Sequence, residues 1–191
     1  MLDSGGTNLG SVQYAFERLG VRAELSRDPE HIRRASHVVL PGVGAAAPGM
    51  QRLRASGLDR LIPTLTQPVL GVCLGMQLLF EASEEGDTAC LGILKGRLTR
   101  FDEARCGRVP HMGWNDVTPT VPHPLIVPGE AYFLHSYHFC AENSADVAAM
   151  SAHGQPIVAA VQRDNILGVQ FHPESVLTPD GEQIIRNWLG L

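Results

Sequence analysis

Cys73 stands in Gly71-Val72-Cys73-Leu74-Gly75, directly behind the apolar run Pro68-Val69-Leu70. Far downstream, Gly168-Val169-Gln170-Phe171-His172-Pro173-Glu174 brings a histidine and a glutamate two positions apart. A thiol attacks carbon only as thiolate, and an ordinary cysteine, with a pKa near about 8.5, is only slightly ionised at neutral pH. It needs a base to take its proton, and the base needs a carboxylate to hold its tautomer. Nucleophile, base and carboxylate are all present here, each at the end of a predicted strand. Members of one such constellation are commonly distant in sequence.

The turn around Cys73 follows the logic of a nucleophile elbow. The tip residue takes a strained conformation, and the flanking glycines remove side chains that would clash where strand folds back into helix. A helix predicted over Leu74–Phe80, followed by Glu81, aims its N-terminus at the thiol. Its free N–H groups and positive dipole end favour a thiolate and a developing oxyanion. An isolated Gly-x-Cys-x-Gly more often marks a buried, inert cysteine. The His172-Pro173-Glu174 segment is what favours chemistry here.

The elements that must position these residues alternate between strand and helix. Thr7 or Asn8 caps a helix whose apolar residues Leu9, Val12, Phe16 and Leu19 recur at helical spacing, and Gly20 ends it. Val21–Leu25 reads as a short strand. Asp28-Pro29 opens a second helix. His37–Leu40 is a buried strand running into Pro41-Gly42-Val43-Gly44, and Met50–Leu65 is helical with breaks at Gly57 and Pro63. This alternation predicts a parallel sheet covered on both faces. Beyond it, Leu91–Phe101, Val109–Val117 and Ala131–Phe139 read as strands, and Pro156–Gln162 with Ile166–Phe171 as a hairpin. Thr178-Pro179-Asp180 opens a last helix that turns Ile184, Ile185, Trp188 and Leu189 inward. The expected fold is α/β: a mostly parallel open sheet flanked by helices, with an antiparallel extension. Ligands bind such sheets beyond the carboxyl ends of the strands, where Gly42, Val43, Cys73, His172 and Glu174 fall.

The chain has 191 residues, 44% hydrophobic and 18% charged, which suits one domain, 1–191, with a sizeable core. A net charge of −5 with no basic run argues against nucleic acid and anionic membranes as partners. Cys73, Cys90, Cys106 and Cys140 form no C-x-x-C pair, which favours a reducing compartment, and without a signal peptide or long apolar span the expected location is cytoplasmic. His135 and His138 have a spacing that suits a metal, but no carboxylate or cysteine completes a set, so no metal or cofactor is expected. Gly5-Gly6-Thr7-Asn8-Leu9-Gly10 lacks the dinucleotide-binding order of glycines. Cys90, Cys106 and Cys140 read as non-catalytic thiols, and Met76 as core.

Over nearly its whole length the chain resembles the class I (triad-type) glutamine amidotransferases, a flavodoxin-like fold. The matching segments are Leu40-Pro41-Gly42-Val43-Gly44, Gly71–Gln77, Pro110-His111-Met112-Gly113-Trp114-Asn115, His135-Ser136-Tyr137 and Gln170–Glu174. The Pro-Gly-Val-Gly and His-Met-Gly-Trp-Asn segments resemble the branch that supplies the glutaminase subunit of imidazole glycerol phosphate synthase, in histidine biosynthesis. The resemblance implies that Cys73 attacks the side-chain carbonyl of glutamine, that His172 is the base and later the acid, and that Glu174 orients it. It implies a γ-glutamyl thioester that water cleaves to glutamate. It places an oxyanion hole at the Leu74 N–H and the Gly42-Val43 peptide, and substrate contacts at Gly44, Gly75, Gln77, His135, Ser136 and Tyr137. The resting Gly42-Val43 peptide is expected to turn its carbonyl into the hole and to flip on activation.

The implied partner is a cyclase subunit with a (β/α)8 barrel, forming a heterodimer that receives the ammonia. Asn8, Trp114, Asn115 and Tyr137 are expected near the docking face. Two departures stand out. Met1-Leu2-Asp3 begins almost at the first turn, where the family has an apolar central strand whose absence would leave an unpaired gap, so either a true start upstream or an unusually short first strand is expected. Ser175 replaces the usual basic residue after His-Pro-Glu. The run Ser175–Gly181 is more similar to the glutaminase subunits of anthranilate or aminodeoxychorismate synthase, which is the alternative reading. Those relatives usually carry histidine where Met76 stands and Pro-Gly-Pro rather than Pro-Gly-Val.

Overall fold

The structure is a computed structural model that describes residues 1–3, 9–139 and 144–190. The Thr7 or Asn8 cap, Asn8 as a docking residue, and Cys140 lie outside the described residues. The elements in chain order are α1 (Leu9–Arg18), α2 (Pro29–Arg34), β1 (Val38–Leu40), α3 (Ala46–Ala55), α4 (Leu58–Leu61), β2 (Val69–Val72), α5 (Leu74–Gln77), β3 (Ala82–Ser83), β4 (Thr88–Ala89), β5 (Arg97–Arg100), α6 (Glu103–Cys106), β6 (His111–Pro119), β7 (Gly129–His135), β8 (Tyr137–Phe139), β9 (Val147–Ala152), β10 (Pro156–Arg163), β11 (Ile166–Val169) and α7 (Gly181–Leu189).

A seven-stranded sheet runs in the order β1-β2-β11-β10-β9-β6-β7. The β1–β2 and β2–β11 pairs are parallel, and every pair from β11 onward to β7 is antiparallel. The parallel part is therefore the nucleus, and the antiparallel extension is the longer part. Strands β1, β2 and β11 are buried at every residue, as the continuous apolar runs require for a sheet covered on both faces. Phe16 of α1 and Ile184, Ile185 and Trp188 of α7 pack on one face. Met50 and Leu53 of α3, with Leu79 and Phe80, pack on the other. Asp28 caps α2 by accepting the Glu30 N–H, with Pro29 at its start, as the Asp-Pro signal predicts.

Several local expectations are corrected. Val21–Leu25 is not a strand: the chain there meets Met1–Asp3 through one parallel bridge between Leu2 and Ser26. The Leu2 N–H in turn donates to the Val39 carbonyl at 2.9 Å, so the expected gap beside β1 is filled as far as Asp3. Only Arg97–Arg100 of the Leu91–Phe101 run is a strand, because Gly92 and Gly96 adopt φ of 67° and 118°. Ala131–Phe139 divides at Ser136: β7 pairs with β6, whereas β8 pairs with β5 in a separate four-stranded sheet of order β4-β3-β5-β8. The helix after Cys73 is short, ending at Gln77 rather than Phe80.

Candidate functional site

The elbow is built as its residue types demand. Cys73 adopts φ 52° and ψ −110°, strained for a residue with a side chain. Its N–H donates to the Val169 carbonyl at 2.8 Å, which ties the tip to the end of β11. Glycine is needed at position 75 because a Cβ there would collide with the Leu40 carbonyl. Gly42 likewise lies against Leu74, whose Cβ would be 2.9 Å from an added Cβ. The first turn of α5 thus sits directly on the end of β1.

His172 follows β11 and is held from both sides. Its N–H donates to the Tyr132 carbonyl at 3.1 Å, while Thr178 Oγ1 donates to the His172 carbonyl at 2.8 Å and accepts the Tyr132 N–H at 3.1 Å. Thr178 is thus a positioning residue that sequence reading treated only as a helix start. The Nδ1–H of His172 donates to Glu174 Oε1 at 2.8 Å, and Glu174 is 4% exposed. Burial alone would lower the His172 pKa, but hydrogen bonds to Cys73 and Glu174 and the charges of both raise it to about 10. A bond from Nδ1 to the carboxylate leaves Nε2 for the sulfur, the tautomer a general base requires. The arrangement sets a protonated imidazole beside the sulfur.

A cavity of about 260 Å³ opens beside Cys73. Of the expected substrate residues, Gly44, Gln77, His135, Ser136 and Tyr137 line it. Gly75 does not, since it is packed beneath Leu40. Glu85 and Leu134 also line it. Sequence reading missed Glu85, which carries no local motif and reaches the cavity only because β3 and the following turn fold beside α3. Its Oε2 accepts the Ala46 N–H at 2.7 Å. A second cavity, of about 380 Å³, lies on the other side of His172 and is bounded by Tyr14, Tyr132, Glu174, Ser175 and Val176. Val43, Leu134 and His172 belong to both walls.

The peptide expected to complete an oxyanion hole turns its oxygen toward the start of α5. The Leu74 N–H donates to the Gly42 carbonyl at 3.2 Å. Gly44, immediately after it, adopts φ 98°, a conformation that suits glycine.

His135 is kept neutral in the cavity wall. Its Nδ1–H donates to the Tyr137 carbonyl at 2.8 Å, leaving Nε2 to accept from His111 Nδ1 at 3.0 Å. Burial lowers the two rings to about 3 and about 4 respectively. Asn115 turns inward to donate to His111 Nε2 at 3.3 Å, whereas its neighbour Trp114 is 55% exposed. Alternation along β6 separates these two residues, both of which were expected near the docking face. Trp114 Nε1 donates to the Leu177 carbonyl at 2.7 Å, and its ring stands edge-on to Tyr132. Cys90 and Cys106 are free thiols, and burial raises Cys90 to about 11. Among the described residues no group of three or more His, Cys, Asp or Glu is arranged to hold a metal, and no helix is long and apolar enough to cross a membrane.

The chain is 48% identical over 193 residues to the imidazole glycerol phosphate synthase subunit HisH of Xanthomonas campestris pv. campestris (strain 8004), covering 99% of this chain and 95% of that protein. The subunit of the same name from Xylella fastidiosa (strain Temecula1 / ATCC 700964) is also 48% identical over the same shares. Among solved structures, a glutamine amidotransferase superposes with a TM-score of 0.77 at 19% identity, covering 100% of this chain and 98% of the other. A glutamine amidotransferase from Thermotoga maritima superposes with a TM-score of 0.61 at 18% identity, over 92% and 72% of the two chains. These two likenesses bear on the fold alone. The family profile described as glutamine amidotransferase class-I matches residues 1–190. Elbow, base, carboxylate and full-length match agree: the chain belongs to the class-I glutamine amidotransferases.

Proposed function

We propose that the chain is the glutaminase subunit of an imidazole glycerol phosphate synthase, releasing ammonia from glutamine at Cys73 and passing it to a cyclase subunit. The observation that carries this reading is the Cys73–His172–Glu174 constellation in a chain 48% identical, end to end, to subunits of that name. His172 takes the thiol proton at Nε2, and Sγ attacks the side-chain amide carbon of glutamine. Collapse of the tetrahedral adduct breaks the C–N bond, and the proton held by His172 goes to the leaving nitrogen. Water, deprotonated by His172, then cleaves the thioester to glutamate. Glu85 supplies a carboxylate for the substrate α-ammonium in the cavity that holds Cys73.

On this reading the oxyanion forms beside the Leu74 N–H, and the Gly42 carbonyl that accepts from it belongs to the resting form of the site. A flip of the Gly42-Val43 peptide replaces an acceptor with the Val43 N–H beside that of Leu74. One such donor stabilises the transition state by about 3–4 kcal/mol, enough to make the flip a switch. A crystal structure of the active complex with the carbonyl still inward would count against it.

Free ammonia in water is protonated and loses its nucleophilicity, so the site must be covered during turnover. The outer cavity beyond His172 opens among Tyr14, Leu134 and Val176, all exposed, and the exposed Trp114 ring stands against Tyr132 in its wall. An apolar rim of this kind suits a docked subunit, here the (β/α)8 barrel of a cyclase. The Ser175–Gly181 run that favours a chorismate-using synthase is outweighed by the full-length identity. The test is product formation with the cyclase subunit, supplied with glutamine or with ammonium salt. Cys73→Ala should abolish the glutamine-dependent reaction and spare the ammonia-dependent one. Equal loss of both would remove Cys73 from the assigned role.

A further inference from the structure

The nucleophile has a neutral hydrogen-bond donor that the mechanism above does not use. Gln170 directly follows β11 and is 1% exposed. Its Nε2 donates to Cys73 Sγ at 3.7 Å. Its Oε1 accepts from Gln77 Nε2 at 2.8 Å, and the same Gln77 nitrogen donates to the Tyr137 carbonyl at 3.1 Å. This chain has only one consistent direction. A backbone carbonyl can only accept, so the Gln77 atom facing Tyr137 is the nitrogen. That nitrogen must then meet the oxygen of Gln170, which leaves the Gln170 NH2 facing the sulfur. Both hydrogens of the Gln77 amide are used, so the Gln170 amide cannot turn over without losing a bond in a dry setting.

Besides His172, the described surroundings of the sulfur favour the thiolate little. On one side the thiol points to the Leu134 carbonyl at 3.9 Å, an acceptor that favours the protonated form. The helix behind it, α5, has four residues, so its dipole is weak. The Leu74 N–H is taken by Gly42. His172, once protonated, donates from Nε2, and among the described residues Gln170 is the uncharged side chain that donates beside it.

We propose that Gln170 donates to Sγ and holds Cys73 as the reactive thiolate, and that Gln77 is a positioning residue that fixes which end of the Gln170 amide faces the sulfur. This rests on the reading of Cys73 as the nucleophile of a glutaminase. The Sγ–H bond breaks, the proton goes to His172 Nε2, the electron pair stays on sulfur, and an N–H of Gln170 points at it. The titratable groups around the sulfur are His172 and Glu174 after β11, His135 at the end of β7, Tyr137 of β8, and Glu85 across the cavity. All five stay in place in the variants below.

The test is the pH dependence of Cys73 alkylation by iodoacetamide, read by mass spectrometry on the peptide that carries Cys73, in the 191-residue chain without any partner. Gln170→Met keeps the volume and removes the donor. Its midpoint should rise by about one pH unit, the low end for a bond to a charged group, with the plateau rate at high pH retained. Gln77→Met leaves Gln170 intact but frees its amide, and should raise the midpoint by a smaller amount. The double variant should match Gln170→Met alone, because Gln77 acts only through Gln170. Unmoved midpoints, or two shifts that simply add, would overturn the inference while leaving the glutaminase reading intact. A parent Cys73 that fails to alkylate at any pH would overturn both.

Discussion

Replacing Glu174 with glutamine separates charge from geometry at the site. Glutamine has the same length, and its carbonyl can accept from His172 Nδ1 where Glu174 Oε1 does at 2.8 Å. The ring should keep its tautomer, and only the negative charge is lost. That charge matters when His172 carries the thiol proton. Two unit charges about 4 Å apart at an effective dielectric near 20 attract by about 4 kcal/mol. Glu174 is 4% exposed, so solvent screens the pair little. Removing the charge should therefore lower kcat by roughly 100- to 1000-fold. KM for glutamine should hold, because Glu174 borders the outer cavity and not the one beside Cys73. Glu174 is also among the groups that hold His172 at about 10, so the basic side of the pH–rate profile should move down. The assay is steady-state glutamate release with the partner and its ligand present, kcat and KM measured separately across pH. A loss smaller than tenfold, or one carried by KM, would refute the assignment of Glu174 as the charge behind the base.

Gly75→Ala places a methyl group against the Leu40 carbonyl. It should cost about 1–3 kcal/mol, a fall in Tm of roughly 2–10 °C, with loss of glutamate release beyond that expected from unfolding; an unchanged Tm in thermal denaturation would contradict the packing described. His172 titrates at about 10 in the fold and near 6.5 when unfolded. Its raised pKa therefore adds stability that is complete below about pH 6.5 and is lost as pH rises through about 10. The Tm advantage of the parent over His172→Gln should accordingly shrink between neutral pH and pH 10, and a constant difference would count against the charged pair. Trp114→Phe keeps the ring against Tyr132 and loses the bond to the Leu177 carbonyl. Stability should change by less than about 1 kcal/mol because water can replace that bond. Titration with the cyclase subunit should show weaker association, since Trp114 is exposed on the proposed docking rim.

What could be read in advance follows from whether a residue's role is set by its neighbours in sequence. The elbow was legible because flanking glycines announce a conformation that only a few residues tolerate, and Cys73 adopts it. The hairpin of β10 and β11 was legible from two apolar runs around Asp164-Asn165. The division of Ala131–Phe139 was not, since β7 and β8 differ only in the strand each one finds, β6 or β5. The helix after Cys73 looked longer because Leu78, Leu79 and Phe80 suit a helix, yet their carbonyls accept from the N–H groups of Leu91, Gly92, Ile93 and Leu94. Thr178, Glu85 and Gln170 share one reason for escaping notice. Each acts through hydrogen bonds to residues of other elements or turns, and nothing in the neighbouring sequence marks which polar side chain will reach the site. The inward Gly42 carbonyl was an expectation carried by the family resemblance and not by any local signal in the loop.

The most direct test of the central claim is the rate of glutamate release from glutamine by the purified chain, measured alone and with the cyclase subunit plus its nucleotide substrate. The inward Gly42 carbonyl predicts a low rate for the chain alone and a large rise only when partner and ligand are both present. A rate that is high without the partner would contradict the resting-state geometry. No rise with the cyclase, but a rise with a chorismate-using synthase, would contradict the proposed partner.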